Sequence, residues 1–311
     1  MRIKGLIAAT FSTFKEDGSV DLSLIPALVE KLIGDGVQGV FICGTNGEGP
    51  NLTIEERMAI TEAYVKAVNK RCLVLVHVGH PSIADARKLA AHAKAAGADA
   101  ISAVAAFYFK PTSANNLVDC MAEIASAAPD MPFYYYHIPV MTGVALDLLE
   151  FLRLAETRIP NLAGIKYTAA TLHEYQACLN YKNGKYDILY GYDELLLSAL
   201  AVGAQGAIGS TYTFAAPLYL KLMAYFREGK LPEARQMQLH AVNMIRCLSR
   251  FGPIPTQKTI LKLLGTNLGP CRLPLVSLSA QQEQEISRYL DEIKFAEVLQ
   301  SVAQGTAVNH K

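Results

Sequence analysis

The sequence predicts a closed parallel (β/α)8 barrel, or TIM barrel, followed by a C-terminal helical extension. Short apolar runs alternate with helical patterns to give eight strand and helix units within the 311 residues. The phrases at 36–43, 97–104 and 203–210 each join a helix-ending glycine, a short turn and an apolar strand, so the unit repeats. The alternative is an open doubly wound sheet. That fold often has a glycine-rich dinucleotide-binding turn after an early strand, and none occurs in the expected place.

Each predicted strand is a short apolar run, as expected for strands that are covered on both faces. The eight runs lie at 5–10, 37–43, 73–78, within 97–104, and at 133–137, 162–166, 188–191 and 206–209. Between them, Asp21 is placed to cap a helix over 22–33. Thr53 and Glu56 have the spacing of a capping box, which predicts a helix that ends near residue 69.

The part of the chain after the eighth strand contains only helical patterns. The barrel and its last helix are predicted to end near 229, so 1–229 is the expected catalytic barrel. Helices are predicted at 232–250, 256–265 and 280–303. We expect 230–311 to form a helical layer packed on the barrel, within the same structural domain.

The composition and net charge of the chain indicate which kinds of binding partner are not expected. Hydrophobic residues make up 51% of the chain and charged residues 18%, and the net charge is +1. A globular protein that binds neither nucleic acid nor a membrane is therefore expected. The six cysteines form no C-x-x-C pair and have no zinc spacing. No apolar run approaches ~20 residues and the start has no signal-peptide pattern, so we expect a cytoplasmic protein.

Lys166 stands at the end of the sixth predicted strand, where lysine is unusual. A buried ammonium loses solvation, so its neutral amine becomes easier to reach and can form a Schiff base with a ketone. The alternative is that Lys166 only extends from the strand end to water.

Polar side chains also follow other predicted strands, at the edge where barrel active sites lie. The candidates are Thr45, Asn46, Tyr108, Tyr136, Thr168, Gly191, Asp193, Glu194 and Ser210. The glycine-rich turn at 44–49 is able to hold a carboxylate or phosphate, although a plain tight turn has the same pattern. Tyr136 is placed to move a proton, or else fills the core.

Two acidic residues and two histidines leave further alternatives open. Asp193 and Glu194 either accept hydrogen bonds from a polyhydroxylated ligand or complement the start of a helix. His77 and His137 are expected to be core residues or to support the site indirectly.

Four motifs, which follow one another in chain order at the ends of the second, fifth, sixth and eighth predicted strands, resemble the dihydrodipicolinate synthase and N-acetylneuraminate lyase family of pyruvate-dependent class I aldolases. They are GTNGE at 44–48, YHIP at 136–139, GIK at 164–166 and GSTY at 209–212. The chain is most similar to the lyase branch. The synthases place an arginine shortly after the tyrosine motif to hold a substrate carboxylate, and this chain has none there. An uncharged polyol at the far end of the substrate is therefore favoured.

The resemblance implies a Schiff-base aldolase that cleaves N-acetylneuraminate reversibly to N-acetylmannosamine and pyruvate. It implies that Lys166 is the nucleophile and Tyr136 the proton-transfer group, with Thr45 and Asn46 holding the carboxylate. Thr168 would shape the pocket, and Gly191, Asp193, Glu194 and Ser210 would line the sugar side. Tyr108 would lie near a subunit contact in a homotetramer built as a dimer of dimers. No metal or organic cofactor is implied.

The chain departs from the family pattern at three positions. Asn46 replaces a second Thr or Ser, and Thr13 and Ala106 stand where proline is usual. Two other functions therefore remain open. One is a pyruvate aldolase acting on a 2-keto-3-deoxy sugar acid, and the other is a barrel that binds a keto acid or sugar with impaired catalysis.

Overall fold

Eight parallel strands close into a barrel in the computed structural model, which describes residues 2–306. The strands are β1 (Gly5–Ala9), β2 (Gly39–Ile42), β3 (Leu73–His77), β4 (Ala100–Val104), β5 (Phe133–His137), β6 (Leu162–Tyr167), β7 (Asp187–Tyr190) and β8 (Gly206–Gly209). Each strand pairs with the next, and β8 pairs with β1 through Gly206 and Gly5. The predicted TIM barrel is confirmed, and the open sheet is excluded.

Helices connect the strands on the outside of the barrel. They are α1 (Ile25–Gly34), α2 (Ile54–Val68), α3 (Ile83–Ala96), α4 (Ala114–Ala125), α5 (Pro139–Thr142), α6 (Leu148–Arg158), α7 (Leu172–Asn180), α8 (Leu196–Ala201) and α9 (Tyr212–Arg227). Thr53 and Glu56 form the predicted capping box of α2. The predicted helix at 22–33 instead begins with a 3-10 turn (Leu22–Leu24) capped by Asp21. Pro26 then lies in the first turn of α1, where its missing N–H has no intrahelical partner to lose.

Five helices follow the barrel. They are α10 (Leu231–Ile245), α11 (Leu248–Phe251), α12 (Pro253–Leu263), α13 (Ala280–Glu292) and α14 (Phe295–Thr306). The prediction of single helices over 232–250 and 280–303 was wrong. The first is divided after α10, and the second is divided because Lys294 adopts φ +53°, which an α-helix does not allow. The last helix, α14, contacts α9, the helix that follows β8. The division at 229 stays a prediction, and residues 307–311 lie outside the described part.

Side chains of alternate strand residues fill the barrel. Tyr134 and Tyr136 point inward, among Phe41 and Leu189, whereas Tyr135 packs in the outer core between strands and helices. The Tyr134 hydroxyl donates to a carboxylate oxygen of Asp187 at 2.9 Å. The interior below the site is therefore packed with side chains. Among the helices of residues 2–306, none has the length and apolarity needed to cross a bilayer.

Candidate active site

A cavity of about 350 Å³ opens at the carboxyl ends of the strands. Nine of the ten candidate residues line it: Thr45, Asn46, Tyr136, Lys166, Thr168, Gly191, Asp193, Glu194 and Ser210. Tyr108 does not line this cavity. It is 79% exposed and contacts Phe109, whose ring centroid lies 5.0 Å away. The topology thus brings together residues that are up to 165 positions apart, as expected at this face of a barrel.

Lys166 lies in the floor of the cavity and is only 3% exposed, so it does not extend to water. Its Nζ is 3.9 Å from the ring centroids of Phe41 and Tyr136. Within residues 2–306 it forms no hydrogen bond and no ion pair. Burial lowers the pKa of Lys166 from 10.5 to about 7, although the negative charge of Asp193 acts in the opposite direction. A large fraction of the amine is therefore neutral, and nucleophilic, near pH 7.

The hydroxyl of Tyr136 lies 3.4 Å from Oγ1 of Thr45. Tyr136 is paired with Lys166 in the register of β5 and β6, so both side chains project to the same side. Burial raises the pKa of Tyr136 to about 12, against an opposing effect from Thr45. The phenol is therefore protonated at neutral pH. It is able to relay a proton only if it passes its own proton on as it accepts another.

The glycine-rich turn after β2 holds Thr45 and Asn46 at the cavity wall. The Gly49 N–H donates to the Gly44 carbonyl at 3.0 Å, and the Ser12 hydroxyl donates to the Gly47 carbonyl at 2.5 Å. A Cβ on residue 49 would overlap the carbonyl of the residue before the turn, so glycine is required there. The turn is fixed by its own backbone, which leaves the Thr45 and Asn46 side chains free to face a ligand.

A buried ion pair and a backbone hydrogen bond support the turn through Glu48. Lys258 Nζ donates to Glu48 Oε1 at 3.2 Å, and the backbone N–H of Arg272 donates to Glu48 Oε2 at 3.0 Å. Both ionic side chains are at most 5% exposed. Sequence reasoning missed this contact, because the partners lie 210 positions apart and no local pattern links them.

His77 supports the same turn without entering the barrel cavity. Its Nδ1 lies 3.1 Å from the Cys43 carbonyl, and its Nε2 accepts from the Val104 N–H at 3.3 Å. Burial, followed by the charges of Arg57 and Lys166, lowers the pKa of His77 well below its usual value. A neutral imidazole that donates from Nδ1 and accepts at Nε2 satisfies both contacts.

His137 lies on the outer side of β5 and does not reach the cavity. Its ring stacks on Tyr167 with centroids 5.3 Å apart. Burial lowers the pKa of His137 to about 4, so the ring is neutral at neutral pH. The expectation of a core residue is met by this packing.

The two adjacent carboxylates are not equivalent. Asp193 is 5% exposed, and its Oδ2 accepts from the backbone N–H and hydroxyl of Thr211 at 2.9 and 2.6 Å. Its Oδ1 has no hydrogen-bond partner in the described part of the chain. Burial raises the pKa of Asp193 to about 6. Glu194 is half-buried in the cavity wall. Asp193 therefore has a structural contact as well as a free oxygen, whereas Glu194 faces the cavity alone.

Two glycines make room for polar side chains in the cavity. A Cβ at Gly191 would overlap Oγ1 of Thr168, and a Cβ at Gly209 would overlap the Asp193 carboxylate. Thr168 Oγ1 is buried without a hydrogen-bond partner within residues 2–306. The sequence pattern marked Gly191 only as part of the wall. The close approach explains why glycine is needed there.

The far wall of the cavity comes from the helices after the barrel and was not predicted. It is formed by Ile245, Leu248, Ser249, Pro253 and Gln257. Their helical patterns give no sign of a site, since a cavity-facing residue on a buried helix has the same spacing as a core residue.

The chain is similar to known proteins along most of its length. The model of the dihydrodipicolinate synthetase family matches residues 2–293. The chain is 43% identical over 281 residues to the N-acetylneuraminate lyase of Xenopus tropicalis, covering 89% of this chain and 92% of that protein. It is 37% identical over 292 residues to the enzyme of the same name from Danio rerio, covering 92% and 95%.

Solved structures show the same similarity. The N-acetylneuraminate lyase (sialic acid aldolase) of Aliivibrio salmonicida superposes with a TM-score of 0.92 at 41% identity, covering 95% of this chain and 98% of that one. The N-acetylneuraminate lyase of Proteus mirabilis superposes with a TM-score of 0.92 at 37% identity, covering 95% and 100%. The resemblance of the strand-end motifs is therefore matched along nearly the whole chain.

Proposed function

The chain belongs to the dihydrodipicolinate synthetase family, and from this premise we propose that it is a class I aldolase that cleaves N-acetylneuraminate to N-acetylmannosamine and pyruvate. The observation that supports the proposal most directly is Lys166. It is a buried lysine without an anionic contact, in a cavity large enough for a sugar acid, and its pKa is lowered to about 7. An amine in this state is suited to attack a ketone.

In the proposed reaction, Lys166 Nζ attacks the C2 ketone of the open-chain substrate. Water leaves, and the resulting iminium withdraws electrons from the C3–C4 bond. Tyr136 accepts the proton of the C4 hydroxyl and passes its own proton on, either to the substrate carboxylate or toward Thr45 at 3.4 Å. Cleavage of C3–C4 gives N-acetylmannosamine and the enamine of pyruvate. Protonation at C3 and hydrolysis then release pyruvate and free Lys166. No metal or organic cofactor takes part.

The remaining residues divide between the two ends of the substrate. Thr45 and Asn46 would hold the carboxylate, which suits a turn whose backbone is already fixed. Thr168 would shape the pocket beside Lys166. A further group would contact the sugar hydroxyls: Gly191, Asp193, Glu194 and Ser210. The partnerless Oδ1 of Asp193 is a ready acceptor for such a hydroxyl.

We propose further that the protein is a cytoplasmic homotetramer. Tyr108 and Phe109 are 79% and 86% exposed, and Met141 beside the cavity is 61% exposed. Exposed aromatic and methionine side chains of this kind are typical of subunit contacts. The six cysteines are unpaired, which suits a reducing compartment. Light scattering of native protein and of Tyr108→Glu tests the assembly. A native mass of one or two chains would refute the tetramer.

The function is tested by trapping. The protein is incubated with pyruvate, reduced with borohydride, digested and analysed by mass spectrometry. An adduct is expected on the peptide that contains Lys166 and on no other, with Lys258 as the internal control because it is also buried but paired with Glu48. Lys166→Arg should abolish the adduct, since arginine stays protonated. An adduct on another lysine would refute the role of Lys166.

A second assay separates the functions that share this chemistry. Pyruvate release is measured from N-acetylneuraminate and from a panel of 2-keto-3-deoxy sugar acids. Preference for N-acetylneuraminate supports the proposal, and preference for a sugar acid supports the related aldolase. Absence of both trapping and release would leave a binding protein without catalysis.

A further inference from the structure

Gln257 is a buried side-chain amide without a partner. It lies on α12, is 1% exposed, and its Oε1 forms no hydrogen bond within residues 2–306. Buried amide oxygens in folded proteins are nearly always hydrogen-bonded, because an unpaired one is destabilising. Gln257 also lines the cavity that contains Lys166. A hydrogen-bond partner for this amide is therefore expected among the groups of whatever molecule fills the cavity.

The surroundings of Gln257 differ from the rest of the cavity. The wall that comes from the helices after the barrel combines Gln257 with the apolar side chains of Ile245, Leu248 and Pro253. Ser249 also lies in this wall, but its hydroxyl already donates to the Arg246 carbonyl at 3.0 Å. The wall formed by β7, β8 and the segments after them presents instead the carboxylates of Asp193 and Glu194. The cavity thus has one face suited to hydroxyl groups and another whose one side-chain amide without a partner, among residues 2–306, lies beside apolar surface.

The substrate of the proposed function has three chemically different parts. Its keto acid end matches Lys166 and the turn after β2, and its hydroxyl groups match the acidic face. The third part is an acetamido group, which has one N–H donor, one carbonyl acceptor and a methyl group. A glutamine amide has one acceptor and a donor group, so it is able to pair with both polar atoms of an acetamide. The neighbouring aliphatic side chains suit the methyl group.

We propose that Gln257 recognises the N-acyl amide of the substrate and determines preference for an acylated amino sugar acid. This inference rests on the proposed function, because the amide is a feature of that substrate. A polar group that is buried to meet one substrate group discriminates against analogues that lack it, because it is then left unpaired. Gln257 would therefore act on specificity and not on the chemistry at Lys166.

The test compares two substrates that differ only at C5, where one has an acetamido group and the other a hydroxyl group. Gln257→Met keeps the length of the side chain and removes its hydrogen bonds. We expect kcat/KM for the acetamido substrate to fall about tenfold, the effect of roughly one lost hydrogen bond, and kcat/KM for the hydroxyl substrate to change less than about twofold. Pyruvate trapping on Lys166 should be unchanged.

Thr256→Val is the matched control. Thr256 is fully buried on the same helix, and its Oγ1 is likewise without a partner in the described part of the chain, but it does not line the cavity. Valine has nearly the shape of threonine, and residue 256 does not touch the cavity. The ratio of kcat/KM for the two substrates should therefore equal that of the native protein. The melting temperature of each variant is measured, and Gln257→Leu serves as a second variant with a different shape.

The outcomes distinguish this inference from the proposed function. If the native protein cleaves neither substrate, the proposed function fails and this inference fails with it. If the native protein cleaves N-acetylneuraminate but Gln257→Met and Gln257→Leu lower both substrates equally, the function stands and the inference is overturned. An unchanged ratio in both variants also overturns it, since the amide would then be paired with water or a sugar hydroxyl.

Discussion

Replacement of Lys166 by methionine should stabilise the protein at low pH, because Lys166 is a buried cation without an anion in contact. The fall of its pKa from 10.5 to about 7 on folding corresponds to roughly 5 kcal/mol against the charged form. Below about pH 7 both the folded and the unfolded chain hold the proton, and the full penalty is present. Between pH 7 and 10.5 only the unfolded chain holds it, so the native free energy of unfolding rises with pH in this window.

Methionine resembles lysine in length but has no charge to desolvate. At pH 6 the free energy of unfolding of Lys166→Met should exceed that of the native protein by up to about 5 kcal/mol. The difference in the free energy of unfolding should shrink steadily as the pH approaches 10.5. Near that pH the unsubstituted chain loses the Lys166 proton in its unfolded state as well as in its folded state. Urea denaturation followed by circular dichroism, at one protein concentration and at several pH values from 6 to about 10, measures this difference.

Lys258→Met is the matched control, since it makes the same substitution at a buried lysine that has an anionic partner. It leaves the Glu48 carboxylate unpaired, so it should destabilise the protein by about 3–5 kcal/mol. If Lys166→Met is less stable than the native protein at pH 6, or if the difference does not vary with pH, Lys166 is not held in a desolvated state. The physical basis of its nucleophilicity would then be wrong.

Three further substitutions test the cavity. Tyr136→Phe should lower kcat for N-acetylneuraminate by at least ~10²-fold with little change in KM, measured by coupled pyruvate release, and a change in KM alone would make Tyr136 a binding residue. Glu194→Gln should lower kcat/KM for N-acetylneuraminate by about 10- to 100-fold while pyruvate trapping stays normal; parallel loss of both would exclude sugar recognition. Gly191→Ala should lower the free energy of unfolding by about 1–3 kcal/mol, because its Cβ overlaps Thr168 Oγ1. Adding Thr168→Ala should restore part of that stability, because the overlap with Oγ1 is removed while tight contacts with the Thr168 Cβ and the Tyr167 carbonyl remain. No recovery would show that the overlap is not the cause.

The barrel could be predicted from the sequence because its signals are local. Apolar runs with glycine-containing turns mark the strands, and five residues at 133–137 and four at 206–209 were placed with the observed bounds. Strand order also followed, since consecutive parallel strands joined by helices are neighbours in such a barrel. Nine residues of the cavity could be predicted for the same reason, because each lies at or just after the end of a strand whose position was known.

The parts that could not be predicted depend on contacts between distant segments. Glu48 gave no sign of its pairing with Lys258, and Gln257 has the spacing of an ordinary core residue on a helix. The break at Lys294 was missed because a positive φ at lysine has no residue-type signal, unlike the glycines that end other helices. The unequal roles of Asp193 and Glu194 likewise depend on Thr211, which approaches only in the folded barrel.

The ion pair between Glu48 and Lys258 also determines when the turn at 44–49 can be fully supported during translation. Glu48 is anchored by Lys258 and by the backbone of Arg272, which lie 210 and 224 positions later in the chain. At translation rates of roughly 5–20 residues per second, about 10–45 s separate the synthesis of Glu48 from that of Arg272. All eight strands, the last of which ends at Gly209, are therefore synthesised before Lys258 is available to this carboxylate. The turn that holds Thr45 and Asn46 therefore gains its last supports only after the whole barrel sequence has been made.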